Sequence, residues 1–126
     1  MSEPTNPGAD LSAELSERLR TPFNATLSDP NRLRIQATLH GLQPDGAIRF
    51  TALAKALGLS DGNLSAHLAA LSEVGYVTSV ATYTGKRRTR WYRATAIGRE
   101  AFEEHVRALQ LIVDASQMGE GPELGQ

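Results

Sequence analysis

The chain has 126 residues, with 13 Lys and Arg, 14 Asp and Glu, three His and no Cys, so disulfides and thiolate chemistry are excluded. No apolar run reaches the roughly 18 to 20 residues of a membrane span, and the polar start, Met1 to Asp10, lacks the charged-then-apolar order of a secretory signal; a cytoplasmic protein is expected. The net charge of −1 conceals a central segment, residues 30–98, with nine basic and three acidic groups between acidic ends. Because salt screens charge over about 8 to 10 Å, a polyanion would sense that local surplus more than the total.

Residues 1–9, with Pro4, Pro7 and Gly8, read as a disordered lead. Asp10 is expected to cap a helix on which Leu11, Leu15 and Leu19 form one stripe. Three leucines on so short a helix cannot form a core alone, so the stripe packs either across a dimer, the preferred reading, or on its own domain. Asp29-Pro30 opens the next helix with a capping carboxylate followed by proline at the first helical position, and Ile35, Leu39 and Leu42 form its buried stripe. Arg32 and Arg34 lie off that stripe, free to reach phosphate or to stay solvated. His40, beside Gly41, is expected to interact with the helix C-terminus. Gln43 to Gly46 is a turn, and Ala47 to Phe50 can add a short strand.

Phe50 to Leu57 reads as a short helix capped by Thr51 and closed by Gly58, which suits a left-handed position. Ser60 then caps a second helix with Leu64, Leu68 and Leu71 on one face and Gly62, Asn63, Ala66, Ala69 and Ala70 on the other, flanked by Ser65. Two helices joined by a short turn containing Gly, here spanning about 51–74, form a helix-turn-helix pattern. Gly75 ends the run. Tyr76 to Tyr83 has strand composition, Thr84 to Thr89 is a charged reversal, and Arg90 to Arg93 resumes extended character, giving a hairpin over about 76–93. Lys86, Arg87, Arg88, Arg90 and Arg93 stand there without an acidic residue. Trp91 and Tyr92 alternate across the returning strand, so one of them packs inward.

Thr95 caps the last helix, which is expected to reach about Ser116, with Phe102, His105, Leu109 and Ile112 on its centre line and Ala101, Val106 and Val113 beside them. That apolar arc is wider than a small domain needs, and contact with a second subunit is the economical explanation. Residues 118–126, rich in Gly and Glu, read as a disordered tail after a single domain at 10–117.

The run from about Asp29 to Phe102 resembles the winged-helix DNA-binding domain of bacterial transcriptional regulators. It is close to the MarR and ArsR superfamilies and most like their short single-domain branch. The matching stretches are Pro30 to Ile35, Phe50 to Leu53, Leu57 to Leu68, Leu71 to Val77 and Ala94 to Arg99. The resemblance implies a mainly α fold with a small antiparallel β wing (α+β), DNA binding, and dimerisation through N- and C-terminal helices. It implies nothing firm about a small-molecule effector. Two departures stand out: Ala94 replaces the larger apolar residue usual before Thr, and the absence of Cys excludes thiolate metal sensing.

On this reading the second helix enters a major groove. Gly62 and Ala66 allow close approach, and Asn63 can pair bidentately with adenine. Thr51, Ser60 and Ser65 suit phosphate oxygens, and His67 suits packing or a phosphate. Asp61 caps or orients amides. The helix carries no arginine, so groove shape or the wing supplies more of the discrimination than guanine readout. Lys86, Arg87, Arg88 and Arg90 neutralise phosphates, or one arginine enters the minor groove. Leu11, Leu15, Leu19, Phe102, His105, Leu109 and Ile112 are the expected dimer contacts.

The function expected is a homodimeric, sequence-specific regulator, a repressor on a palindromic operator. The alternative is a winged-helix module that binds an acidic protein. His40, His67 and His105 lie on separate helices without metal-ligand spacing, and no nucleophile elbow or phosphate loop occurs, so neither an enzyme nor a bound metal or cofactor is expected.

Overall fold

A computed structural model describes residues 11–118. The expected lead and nearly all of the expected tail lie outside the described residues; Met118 is the exception and is helical. The elements are α1 (Ala13–Leu19), α2 (Pro30–Gly41), β1 (Ile48–Arg49), α3 (Phe50–Leu57), α4 (Asp61–Glu73), β2 (Val77–Thr84), β3 (Arg87–Ala94) and α5 (Ala96–Met118). The described residues divide into two compact units, one from Asn24 to His105 and one made of residues 11–23 with 106–118.

In the 24–105 unit, local chemistry fixes most of the boundaries. The Asp29 carboxylate accepts the Asn31 and Arg32 amides at 2.9 and 3.1 Å, with Pro30 at the start of α2. Gly58 closes α3 at φ 66°, and Ser60 Oγ accepts the Asn63 amide at 3.2 Å. The expected Thr51 cap is not formed. β1 pairs with β3 and its last residue, Arg49, takes the N-cap position without a side-chain hydrogen bond, so the chain passes from strand to helix at Phe50 and Thr51 falls inside the first turn. Thr95 Oγ1 accepts the Gly98 amide at 2.9 Å and donates to Gly75 O at 2.6 Å, joining the start of α5 to the turn after α4.

The sheet order is β1-β3-β2, antiparallel throughout, with Val77 opposite Ala94 and Thr84 opposite Arg87. The expected six-residue reversal is only Gly85-Lys86, with Gly85 at φ 64°. Arg87 and Arg88 are therefore strand residues, and alternation sends them to opposite faces.

Leu27, Ile35, Leu39, Leu53, Ala54, Leu64, Leu68, Leu71, Val77, Tyr92, Ala94 and Ala101 form the core, each large side chain contributing about 1.5 to 3 kcal/mol. Tyr92 is the aromatic that packs inward. Leu42 is only half-buried, and Gln36 is fully buried in the turn after Ile35. Gln36 Nε2 donates to Tyr76 O at 3.2 Å. His40 does not serve the end of its own helix: its Nε2 lies 3.0 Å from Glu103 Oε2 and its ring 4.8 Å from that of Phe102. Arg99 takes that role, donating to His40 O at 3.0 Å and Leu42 O at 3.2 Å. Its guanidinium outreaches the imidazole and serves several carbonyls at once, with Gln43 O at 3.4 Å as a third.

In the other unit, α1 starts at Ala13 with Ser12 as its cap, Ser12 Oγ accepting the Leu15 amide at 3.0 Å. The expected cap, Asp10, lies outside the described residues, and Leu11 precedes the helix. Leu15, Ala108 and Ala115 are buried, whereas Leu11, Leu19, Val106, Val113 and Met118 are exposed. α5 continues through Met118, two residues past the expected end.

Candidate nucleic-acid interface

Helical periodicity divides α4 sharply. Leu64, Leu68 and Leu71 are buried in the core, while Gly62, Asn63, Ser65, Ala66 and Ala69 are exposed. A methyl group added at Gly62 would meet nothing within 4 Å, so no internal packing demands glycine there. The Ser60 oxygen is engaged in capping, which leaves its hydroxyl proton free to donate. His67 is turned partly inward, with Nδ1 4.0 Å from Asp29 Oδ1 and its side chain 21% exposed. The Asp29 carboxyl is held below its ordinary value of 3.8, first by the Arg32 amide and further by the Asn31 amide and the nearby His67 and Arg32 charges, against an opposing effect of desolvation.

The start of α3, the flank of α4 and the distal hairpin enclose an open concavity of about 750 Å³. It is lined by Arg49, Phe50, Thr51, Ser65, Thr82, Thr84, Arg87, Arg88, Thr89, Arg90, Trp91 and Tyr92. Four arginines and five serine or threonine residues line one space that no carboxylate lines. Of the sequence-derived candidates, Thr51, Ser65, Arg87, Arg88 and Arg90 meet there. Ser60, Gly62, Asn63, Ala66 and His67 lie elsewhere on α4 and its cap, and Lys86 sits exposed in the two-residue turn. Arg90 is half-buried, and its Nη1 lies 3.3 Å from Ser79 Oγ across the hairpin.

Sequence reasoning missed Arg49. Only strand pairing brings it to Trp91, because the two stand on elements separated by both helices of the helix-turn-helix. The expected dimer contacts are distributed unevenly. His105 is 3% exposed within its own chain, its Nδ1 accepting the Asn24 amide at 3.2 Å, and burial pushes its pKa below 6.5. Phe102 packs against the 24–105 core and Leu15 is buried, whereas Leu109 and Ile112 are half-buried and Leu11 and Leu19 exposed. Among the described residues no group of three or more His, Cys, Asp or Glu could hold a metal, and no helix is long and apolar enough to cross a membrane.

No curated protein matches the chain at a significant level. Among solved structures it is similar to the transcriptional regulator homologue protein from Pyrococcus horikoshii OT3, at 26% identity and a TM-score of 0.67, over 82% of this chain and 96% of that one. The fold is shared with AbsC, a MarR family transcriptional regulator from Streptomyces coelicolor, at 18% identity and a TM-score of 0.58 over 87% of this chain and 76% of that one. It is shared also with MepR in the S. aureus MepR-DNA complex, at 18% identity and a TM-score of 0.56 over 83% and 80% of the two chains. Residues 32–113, which run from within α2 through the bare helix and the arginine hairpin into α5, match the family model for a winged helix DNA-binding domain, and the chain belongs to that family.

Proposed function

We propose that the protein is a cytoplasmic, homodimeric, sequence-specific regulator of transcription that represses by binding a palindromic operator. The observation that carries this reading is the meeting of the α4 flank and the hairpin arginines in one acid-free concavity, with the small-residue face of α4 left exposed. A surface of that kind suits a helix laid in a major groove while an adjacent ribbon neutralises phosphates. Asn63 reads a base edge, Thr51, Ser60 and Ser65 contact phosphates, and Lys86, Arg87, Arg88 and Arg90 grip the backbone beside them. His67 contributes at the periphery, being turned toward Asp29. The MepR complex supports the reading by analogy of fold.

Dimerisation uses Leu11 and Leu19 with Val106 and Val113 on the exposed side of α5, and with the half-buried Leu109 and Ile112 at its margin. A two-fold dimer then presents two α4 helices to half-sites about one helical turn apart or a multiple of it. Selection of bound duplexes from a random pool, followed by affinity measurements across salt concentrations, tests the proposal. A recurrent inverted repeat bound with strong salt dependence is expected. Equal, salt-sensitive binding to all duplexes without an enriched sequence would favour an acidic protein partner instead.

A further inference from the structure

Arg49 ends β1 and holds the N-cap position of α3, yet its side chain makes no capping hydrogen bond. Antiparallel pairing sets it directly opposite Trp91 on β3, so both side chains stand on the same sheet face. The guanidinium carbon lies 5.9 Å from the Trp91 ring centroid. The indole is itself held, Nε1 donating to Thr82 Oγ1 on β2 at 2.9 Å. A relay across three strands, Thr82 to Trp91 to Arg49, therefore holds one guanidinium beside the concavity it lines with Arg87, Arg88 and Arg90. Among the described residues Arg49 forms no ion pair. An aromatic face orders a cation without cancelling its charge, and an ordered guanidinium presents its donors to a phosphate at lower entropic cost.

We infer that Arg49 is a DNA-phosphate contact on the opposite side of the concavity from the hairpin tip, and that Trp91 is the residue that positions it. The inference rests on the DNA-binding reading above and deepens it. A phosphate bound by the hairpin alone would leave the tip free to swing with its strands. One bound also by Arg49 is fixed to the junction of β1 and α3, the element that precedes the groove-facing helix by a single tight turn. Arg49 thus orients α4 on the duplex while carrying no sequence information itself.

The test measures anisotropy of a labelled duplex, selected as above, across a salt series. The variants are Arg49→Ala, Arg49→Lys, Trp91→Ala, Trp91→Phe and the Arg49→Ala/Trp91→Ala pair. Far-UV circular dichroism and thermal midpoints certify folding. Arg49→Ala is expected to lower the salt slope by about one unit and to weaken binding about tenfold, equally on selected and unrelated duplexes. Arg49→Lys keeps the slope but loses part of the affinity, because an ammonium lacks the planar fork. Trp91→Ala weakens binding in the wild-type background and changes little once Arg49 is gone. If Trp91→Ala unfolds, Trp91→Phe with the Arg49→Ala/Trp91→Phe pair carries the same cycle with a smaller coupling of the same sign.

An unchanged slope in Arg49→Ala overturns the phosphate assignment, as does a loss confined to the selected duplex. Additive effects of the two substitutions overturn the positioning role of Trp91. Wild-type protein that binds no duplex at all overturns the DNA reading and this inference together, which separates the two failures.

Discussion

Gly62 and Gly98 have the same side chain for opposite reasons, and one substitution tells them apart. A Cβ at Gly98 would collide with the Tyr76 carbonyl oxygen and come within 2.7 Å of Gln36 Nε2, at the point where α5 begins against the turn after α4. The carbonyl is backbone and Gln36 is fully buried, so neither yields easily. Gly98→Ala is expected to lower stability by about 1 to 3 kcal/mol, read from the urea midpoint. Gly62 meets nothing, and alanine is the better helix former, so Gly62→Ala should leave stability unchanged or raise it by up to about 0.5 kcal/mol while weakening duplex binding. Equal DNA affinity in that variant would mean that α4 does not press close to its partner at residue 62.

His105 supplies the pH dependence at this scale. Its native pKa lies below 6.5 because burial disfavours the charged imidazole, and protonation of Nδ1 would also abolish its acceptance of the Asn24 amide. As pH falls below about 6.5 the unfolded chain binds this proton before the native one does, so its contribution to stability is complete above that value and declines until the native pKa is passed. His105→Gln retains an acceptor but does not titrate. The wild-type thermal midpoint minus that of the variant should therefore fall between pH 7 and 5; a difference independent of pH would refute the assignment.

Among the elements, the parts governed by neighbours in sequence were legible and those governed by distant pairing were not. Asp29-Pro30, Gly58, Ser60 and Thr95 each act on groups within three residues or set their own backbone, and the structure uses them as their local chemistry implies. Thr51 misled because an equally local signal lost to a non-local one: pairing of Arg49 with Trp91 draws the strand up to Phe50 and starts α3 one residue before the expected cap. Arg99 and Gln36 serve carbonyls on other segments, and nothing in their own neighbourhood announces this. The hairpin was recognised by composition, but its register was not, and register decides which arginines share a face. With only Gly85-Lys86 in the turn, Arg88 and Arg90 stand on one face and Arg87 on the other. All three line the concavity, so the twisted ribbon offers charge from both sides. Replacing Arg87 and Arg88 together by alanine is expected to reduce the salt slope of duplex binding by about two units, since two phosphates would keep their counterions. Wild-type affinity and slope in that variant would remove the wing from the interface.

For the whole molecule the question is what covers the apolar surface that one chain leaves open. α5 carries two seams on opposite sides. Ala108 and Ala115, seven residues apart and thus nearly in line, are 3% and 2% exposed, which matches a close approach permitted by small side chains. Val106 and Val113, also seven apart, are 41% and 49% exposed on the other side. The alanine seam is satisfied within the chain and the valine seam is not. Burial of His105 and Leu15, and packing of the half-buried Phe102 against the core, shift the proposed dimer contact away from the expected centre line toward Val106, Val113 and the leucines at 11 and 19. Because the two valines are exposed, glutamate at both positions costs the single chain little, whereas apposed carboxylates across a two-fold axis would repel. Val106→Glu/Val113→Glu should sediment as a monomer where the wild type sediments as a dimer, with unchanged helical circular dichroism. It should also bind an isolated half-site as the wild type does while losing the advantage of the full inverted repeat, because tethering of the second α4 is what the dimer adds. A variant that remains dimeric would locate the two-fold contact elsewhere on the chain, and one that is monomeric yet still prefers the full repeat would show that the two bound copies are coupled on the duplex by some other contact.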